Sequence, residues 1–105
     1  FPGCEHVVGF ENHSGMTYLG QGVQPLGRVL SGNGNNGEDG TEGARYKNTF
    51  CTYAHGPLLP KNPAFCDGLI RLALKEKYGS EIELAPLDDT FENKANEVMV
   101  HRLSK

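Results

Sequence analysis

The side chains that could carry chemistry are few: three cysteines and four histidines among 105 residues. Two pairings invite a metal hypothesis, Cys4-x-His6 and Cys51-x-x-x-His55, and neither has the spacing of a common zinc knuckle. The thiols read instead as small buried or bystander groups, and no metal is expected. A nucleophilic Cys4 would need a nearby base or a helix N-terminus to form its thiolate, on a strand-to-helix turn. Cys4 instead precedes the extended run Val7–Phe10, which carries no helix signal, so it is read as a bystander. His55 differs. It ends a strand candidate, Thr49–Ala54, and is followed at once by Gly56-Pro57. Strand alternation could put Cys51, Tyr53 and His55 on one face, with the imidazole at the strand's carboxyl edge, where open α/β sheets assemble their sites. Position alone suits a half-exposed structural histidine equally well.

Gly32-Asn33-Gly34-Asn35-Asn36-Gly37 matches the G-x-G-x-x-G dinucleotide pattern letter for letter. That pattern works only when a helix opens at its last glycine, so that amides and the helix dipole meet a pyrophosphate. Here Glu38, Asp39 and Gly40 come next, and their charge and flexibility oppose both requirements. A turned or flexible loop is the reading. Calcium is poorly supported too, because the spacing lacks the acid ladder and terminal glutamate of an EF-hand.

These groups must be positioned by a small domain. Eleven of the 14 glycines fall within residues 1–43, so a glycine-punctuated front precedes a helix-forming back. Strand candidates are His6–Glu11, Leu26–Ser31, Ala44–Lys47 and Thr49–Ala54, each short and bounded by Gly or Asn. Asn62 before Pro63 predicts a helix start, and Gly79 predicts its stop after Tyr78. Phe65, Leu69, Leu72 and Ala73 give that helix one apolar stripe, widened by Cys66 and Ile70. A second helix is predicted from Asp89, with Glu92 completing a capping box and Phe91, Ala95, Val98, Met99 and Leu103 as the buried face. Between them, Ser80–Asp88 reads as an extended connector.

Charge and composition narrow the function class. A formal charge of −3 lacks the basic footprint of nucleic-acid binding. No apolar run approaches the roughly 20 residues that span a bilayer, and no secretion signal opens the chain. The first residue is Phe1 rather than Met, which suggests that a preceding segment has been removed. An odd cysteine count without framework spacing predicts free thiols in a reducing compartment, hence a cytoplasmic protein.

Three words, taken together, resemble a known family. Gly9-Phe10-Glu11-Asn12-His13-Ser14-Gly15, Gly32-Asn33-Gly34-Asn35-Asn36 and Thr52-Tyr53-Ala54-His55-Gly56-Pro57-Leu58-Leu59-Pro60-Lys61-Asn62-Pro63 resemble, in order and spacing, the C-terminal half of cobyric-acid-synthase-like class I glutamine amidotransferases. The likeness runs from about Val7 through the terminal helix and is greatest to the small glutaminase subunits that serve lipid II amidation. It implies that residues 1–105 are the C-terminal portion of a single three-layer, flavodoxin-like α/β domain, built as short strands and then two helices.

The resemblance also implies a chemistry. In the family a cysteine on a nucleophile elbow attacks the side-chain amide of glutamine, and a histidine from the Tyr-x-His-Gly word manages the proton. Carried over, that histidine is His55, general base to the thiol and general acid to the departing amine. The nucleophile lies upstream of the Glu-Asn-His word in the family, so none of Cys4, Cys51 and Cys66 corresponds to it, and this stretch alone is expected to be inactive. Cys51 stands where relatives often have Gly. Glu11 and His13 match the family's Glu-Asn-His word, and shaping the edge of the active site is preferred to catalysis for them. Other class I amidotransferases place a glutamate two residues after the histidine, where this chain has Pro57. The resemblance therefore implies an aspartate from a Mur-ligase-like (MurT-like) synthetase subunit, which would also hold the ATP, while this subunit takes no cofactor. The implied reaction supplies ammonia for amidation of the D-glutamate of lipid II in peptidoglycan synthesis. Amidation of cobyrinic acid or another small carboxylic acid, and a docking module without chemistry, stay open as alternatives.

Overall fold

The computed structural model describes Phe1 and residues 3–104. Four short strands come first, β1 (Gly27–Arg28), β2 (Thr41–Glu42), β3 (Ala44–Tyr46) and β4 (Thr49–Cys51), then three helices, α1 (Leu58–Lys61), α2 (Pro63–Tyr78) and α3 (Thr90–Leu103). β1 pairs antiparallel with β2, Gly27 opposite Glu42, and β3 with β4, Ala44 opposite Cys51. The hairpin between β3 and β4 turns at Lys47, which takes a left-handed φ of 54°. Two isolated antiparallel bridges, Phe10 with His55 and Gln24 with Arg45, tie loops to this framework.

The strands are shorter than their sequences predict, because side chains take the backbone groups that a ladder would have used. His6–Glu11 forms no strand, only the bridge at Phe10. The N–H of Val8 donates to Asn62 Oδ1 at 2.7 Å, and the carbonyl of Val8 accepts from Asn62 Nδ2 at 2.8 Å. Leu26–Ser31 is a strand only at Gly27–Arg28. The predicted strand Thr49–Ala54 stops at Cys51, and the N–H of Tyr53 beyond it donates to Glu42 Oε1 at 2.6 Å. His55 is thus four residues past the end of β4 rather than at its terminal residue, and its backbone pairing is with Phe10 alone.

The helix at Pro63–Tyr78 forms as its local signals predict. Pro63 occupies the first turn, where a missing N–H costs nothing, and Gly79 closes the other end at φ 72° with its N–H on the Lys75 carbonyl. Lys75 and Lys77 sit in the last turn, where the helix dipole favours cations. Asn62, expected to cap this helix, makes no side-chain cap; it staples Val8 instead. The single turn α1, with Pro60 inside it, has no counterpart among the predicted elements.

α3 has the predicted span but is rotated from the predicted facing: Met99 is half-buried as expected, together with Glu92, Asn96 and Val100. Its capping box is absent: Asp89 makes no side-chain cap, and Asp88 accepts from the N–H of Thr90 at 3.2 Å. Phe91, expected inside, is 86% exposed, and Ala95, Val98 and Leu103 are exposed as well. Asn96 decides the rotation, donating from Nδ2 to the Lys61 carbonyl at 2.9 Å and to Asn62 Oδ1 at 3.1 Å. Satisfying the buried polar groups of the Asn62 staple turns Asn96 inward. Of the α2 stripe only Phe65 is fully buried; Leu69 and Leu72 are half-buried, and Ala73 and Ile70 face solvent.

The strands and helices meet chiefly through Phe1, whose ring lies between Phe50 of β4 (5.8 Å between centroids) and Phe65 of α2 (4.9 Å). Gly68 on α2 leaves room for that ring: a Cβ there would collide with it. Val8 and Phe65 are buried apolar side chains, and Pro63 at the start of α2 is buried with them. None of the described helices is long and apolar enough to cross a membrane.

Candidate functional site

His55 is held by its backbone. Phe10 N–H donates to the His55 carbonyl at 3.3 Å, His55 N–H donates to the Phe10 carbonyl at 2.9 Å, and the two rings stack at 5.8 Å with 26° between their planes. Two glycines permit the approach. A Cβ on Gly9 would lie 2.9 Å from both Ala54 Cβ and the His55 carbonyl oxygen, and one on Gly56, at φ 97°, would strike the Phe10 ring. The imidazole is exposed. Among the described residues the close contacts between basic side chains and carboxylates are His13 with Glu11 and Lys75 with Glu81, so no carboxylate of this set pairs with His55.

The three words gather around this bridge. Glu11 Oε1 accepts from the N–H of Asn33 at 3.1 Å and of Gly34 at 2.8 Å, and its Oε2 lies 3.7 Å from His13 Nε2. The His13 ring lies flat on Tyr53, with centroids 3.6 Å apart and planes 7° apart. The Tyr53 hydroxyl reaches Thr17 Oγ1 at 2.7 Å. Glu11 and His13 therefore stand together, one step in sequence from Phe10 and one stacked ring from Tyr53.

The glycine-rich stretch is a tightly turned structural loop. Buried Asn35 donates to the Gly43 carbonyl and accepts from its N–H, both at 2.9 Å. Asn36 Oδ1 accepts from the N–H groups of Glu38 and Asp39, while its Nδ2 donates to the Thr17 carbonyl. At Gly34, φ 70°, a Cβ would collide with the Thr41 carbonyl and the Val29 side chain. Its glycines thus answer to sterics and its asparagines to backbone satisfaction, and the amides at Asn33 and Gly34 face a carboxylate, which leaves no anion cradle there.

The cysteines stay apart from His55. The Cys4 thiol donates to the His6 carbonyl at 3.7 Å, and burial pushes its pKa up, which disfavours a nucleophilic thiolate. Cys4, Cys51 and Cys66 are all free, and among the described residues no three His, Cys, Asp or Glu side chains group to hold a metal. Two participants were not singled out in the sequence. Phe10 lay inside a recognised word without an assigned role, and Glu42, which accepts from Thr52 Oγ1 and Tyr53 N–H, had no sequence signal because its partners are set by folding.

Residues 2–63, which contain all of these contacts from Phe10 to Tyr53, match the CobB/CobQ-like glutamine amidotransferase domain. The chain belongs to that family. Among relatives of this amidotransferase chain is the lipid II isoglutaminyl synthase (glutamine-hydrolyzing) subunit GatD of Streptococcus pneumoniae, 48% identical over 85 residues, or 81% of this chain and 33% of that protein. Another is subunit GatD of Staphylococcus aureus, 44% identical over 99 residues, or 94% of this chain and 40% of that protein. The amidotransferase chain thus spans between a third and two fifths of the length of these relatives.

Proposed function

We propose that these residues are the C-terminal portion of the glutaminase subunit of a lipid II isoglutaminyl synthase, with His55 as its catalytic histidine. The observation that carries the reading is the 44–48% identity to two GatD subunits over most of the chain, with the Thr52–Pro63 word inside it. Nearly half the residues coincide, and the ring and backbone of His55 meet Phe10 from the Glu-Asn-His word.

In this mechanism a cysteine thiolate from the remainder of the domain attacks the side-chain amide carbon of glutamine. The C–S bond forms and, as the tetrahedral centre collapses, the C–N bond breaks. His55 takes the thiol proton and returns it to the departing nitrogen, so ammonia leaves as a neutral molecule. Water then hydrolyses the thioester with His55 as base, releasing glutamate. An exposed imidazole without a carboxylate partner among the described residues suits a role in which a partner subunit's aspartate fixes the tautomer, Pro57 occupying the place of an in-chain glutamate. The partner we assign is a Mur-ligase-like, MurT-like synthetase, which binds ATP and the lipid II acceptor; the glutaminase subunit needs no cofactor. Free cysteines accord with a cytoplasmic site of action.

The finer fold belongs to the same proposal. The molecule is a slab of 39 × 35 × 17 Å with 7577 Å² of accessible surface, against about 5,800 Å² for a globular protein of this size. Layered α/β domains bury their sheets on both faces. The surplus surface, with Phe91, Leu87 and Leu30 exposed, fits one part of a three-layer, flavodoxin-like domain whose remaining strands and nucleophile lie outside these 105 residues.

The test is ammonia release from L-glutamine by the full-length subunit with and without its synthetase. Strong stimulation by the synthetase, and its loss when the partner's aspartate becomes asparagine without separating the subunits, is the expected result. A lone subunit as fast as the complex would contradict the partner's acid. These 105 residues by themselves are expected to match the buffer blank.

A further inference from the structure

The carboxylate of Glu11 is committed to the chain itself. Oε1 draws the amides of Asn33 and Gly34 to it, and Gly32, at φ 114°, keeps the space open: a Cβ there would stand 2.9 Å from Oε1. Oε2 faces His13 Nε2. His13 is oriented from its other side, because the Gly15 carbonyl at 2.8 Å can only accept, which makes Nδ1 the donor. Its ring then lies flat on Tyr53, two residues before His55. Farther along, Thr17 N–H donates to the Asn35 carbonyl at 2.8 Å, returning the segment to the same asparagine loop. The stretch from Glu11 to Thr17 is therefore pinned to the loop at both ends, with His13 pressed on Tyr53 between them.

Resting on the catalytic reading of His55, we propose that Glu11 and His13 are positioning residues for that histidine. They form a clip that fixes Phe10, which pairs with and stacks on His55, and Tyr53, which leads into it. The imidazole itself is exposed and bonded to no carboxylate among the described residues, so its aim depends on the backbone and ring that hold it. Misplacement of a catalytic group by about 1 Å can cost on the order of 100-fold in rate.

The test uses the full-length subunit with its synthetase and L-glutamine as substrate. Glu11→Ala and His13→Ala are expected to lower kcat for ammonia release by about 10–100-fold with KM within about twofold. Glu11→Gln keeps an acceptor for the two amides, and His13→Phe keeps the ring on Tyr53; each is expected to recover most of the lost kcat. Those rescues separate aim from general stability, and they stand in for an alanine variant that fails to fold. A wild-type kcat in Glu11→Ala, a rise in KM alone, or no rescue by either conservative variant would overturn the clip. His55→Ala, run alongside, tells the two ideas apart: if it keeps full activity, the catalytic reading falls, whereas its inactivity beside an unaffected Glu11→Ala removes the clip only.

Discussion

Phe10 and His55 hold each other by two backbone hydrogen bonds, at 3.3 and 2.9 Å, and by a stacked pair of rings. Among the described residues this bridge is the one place where the Glu-Asn-His word and the Tyr-x-His-Gly word join by main chain, and it stands without a strand ladder on either side. An isolated bridge is fixed by what packs against it, so the glycines that let the chains approach are as necessary as the hydrogen bonds.

Gly9→Ala is expected to disturb that approach. Its methyl would sit 2.9 Å from Ala54 Cβ and from the His55 carbonyl oxygen. Overpacking of this kind costs about 1–3 kcal/mol. Denaturant unfolding of the full-length protein should show the loss, and ammonia release should fall at temperatures where the fold is intact.

Asn62→Ala should destabilise by a different route. The substitution leaves both the N–H and the carbonyl of buried Val8 without their Asn62 partners and removes one of the two hydrogen bonds of Asn96 on α3. Each stranded buried group costs about 1–3 kcal/mol, so a lowered unfolding midpoint is expected. A variant with an unchanged midpoint would show that water replaces the staple.

The legibility of the sequence tracks the range of the interactions. α2 could be read because Pro63 and Gly79 act within one turn of where they stand. The facing of α3 could not, since Asn96 answers to Asn62, 34 residues away, and its hydrogen bonds override the apolar stripe that placed Phe91 inside. Asn62 itself looked like a cap because caps are local; its partner Val8 lies 54 residues away. At the site, His55, Glu11 and His13 were legible as members of recognised words. The stack of His13 on Tyr53 and the hold of Glu11 on the Asn33 and Gly34 amides were not, because both are made only once the loop folds back.

The asparagine loop should loosen in acid. Asp39 is held below its ordinary value of 3.8 by hydrogen bonds from the Thr41 hydroxyl, the Asn36 amide and the Thr41 N–H. A carboxylate with a lowered folded pKa contributes stability that is present above its unfolded value and is lost as pH falls through the folded one. Hydrogen exchange at the Thr41 amide should therefore be protected above about pH 4 and lose protection below it, and Asp39→Asn should remove that dependence. Protection that persists unchanged far below that range would mean the loop does not depend on this carboxylate.

The central claim is that His55 moves the proton in glutamine hydrolysis, and ammonia release by full-length His55→Ala with its synthetase present tests it most directly. General acid–base catalysis contributes about 10²–10⁴-fold, so kcat/KM should fall by that factor or more while the subunits stay assembled. A His55→Ala complex that releases ammonia at the wild-type rate would contradict the account.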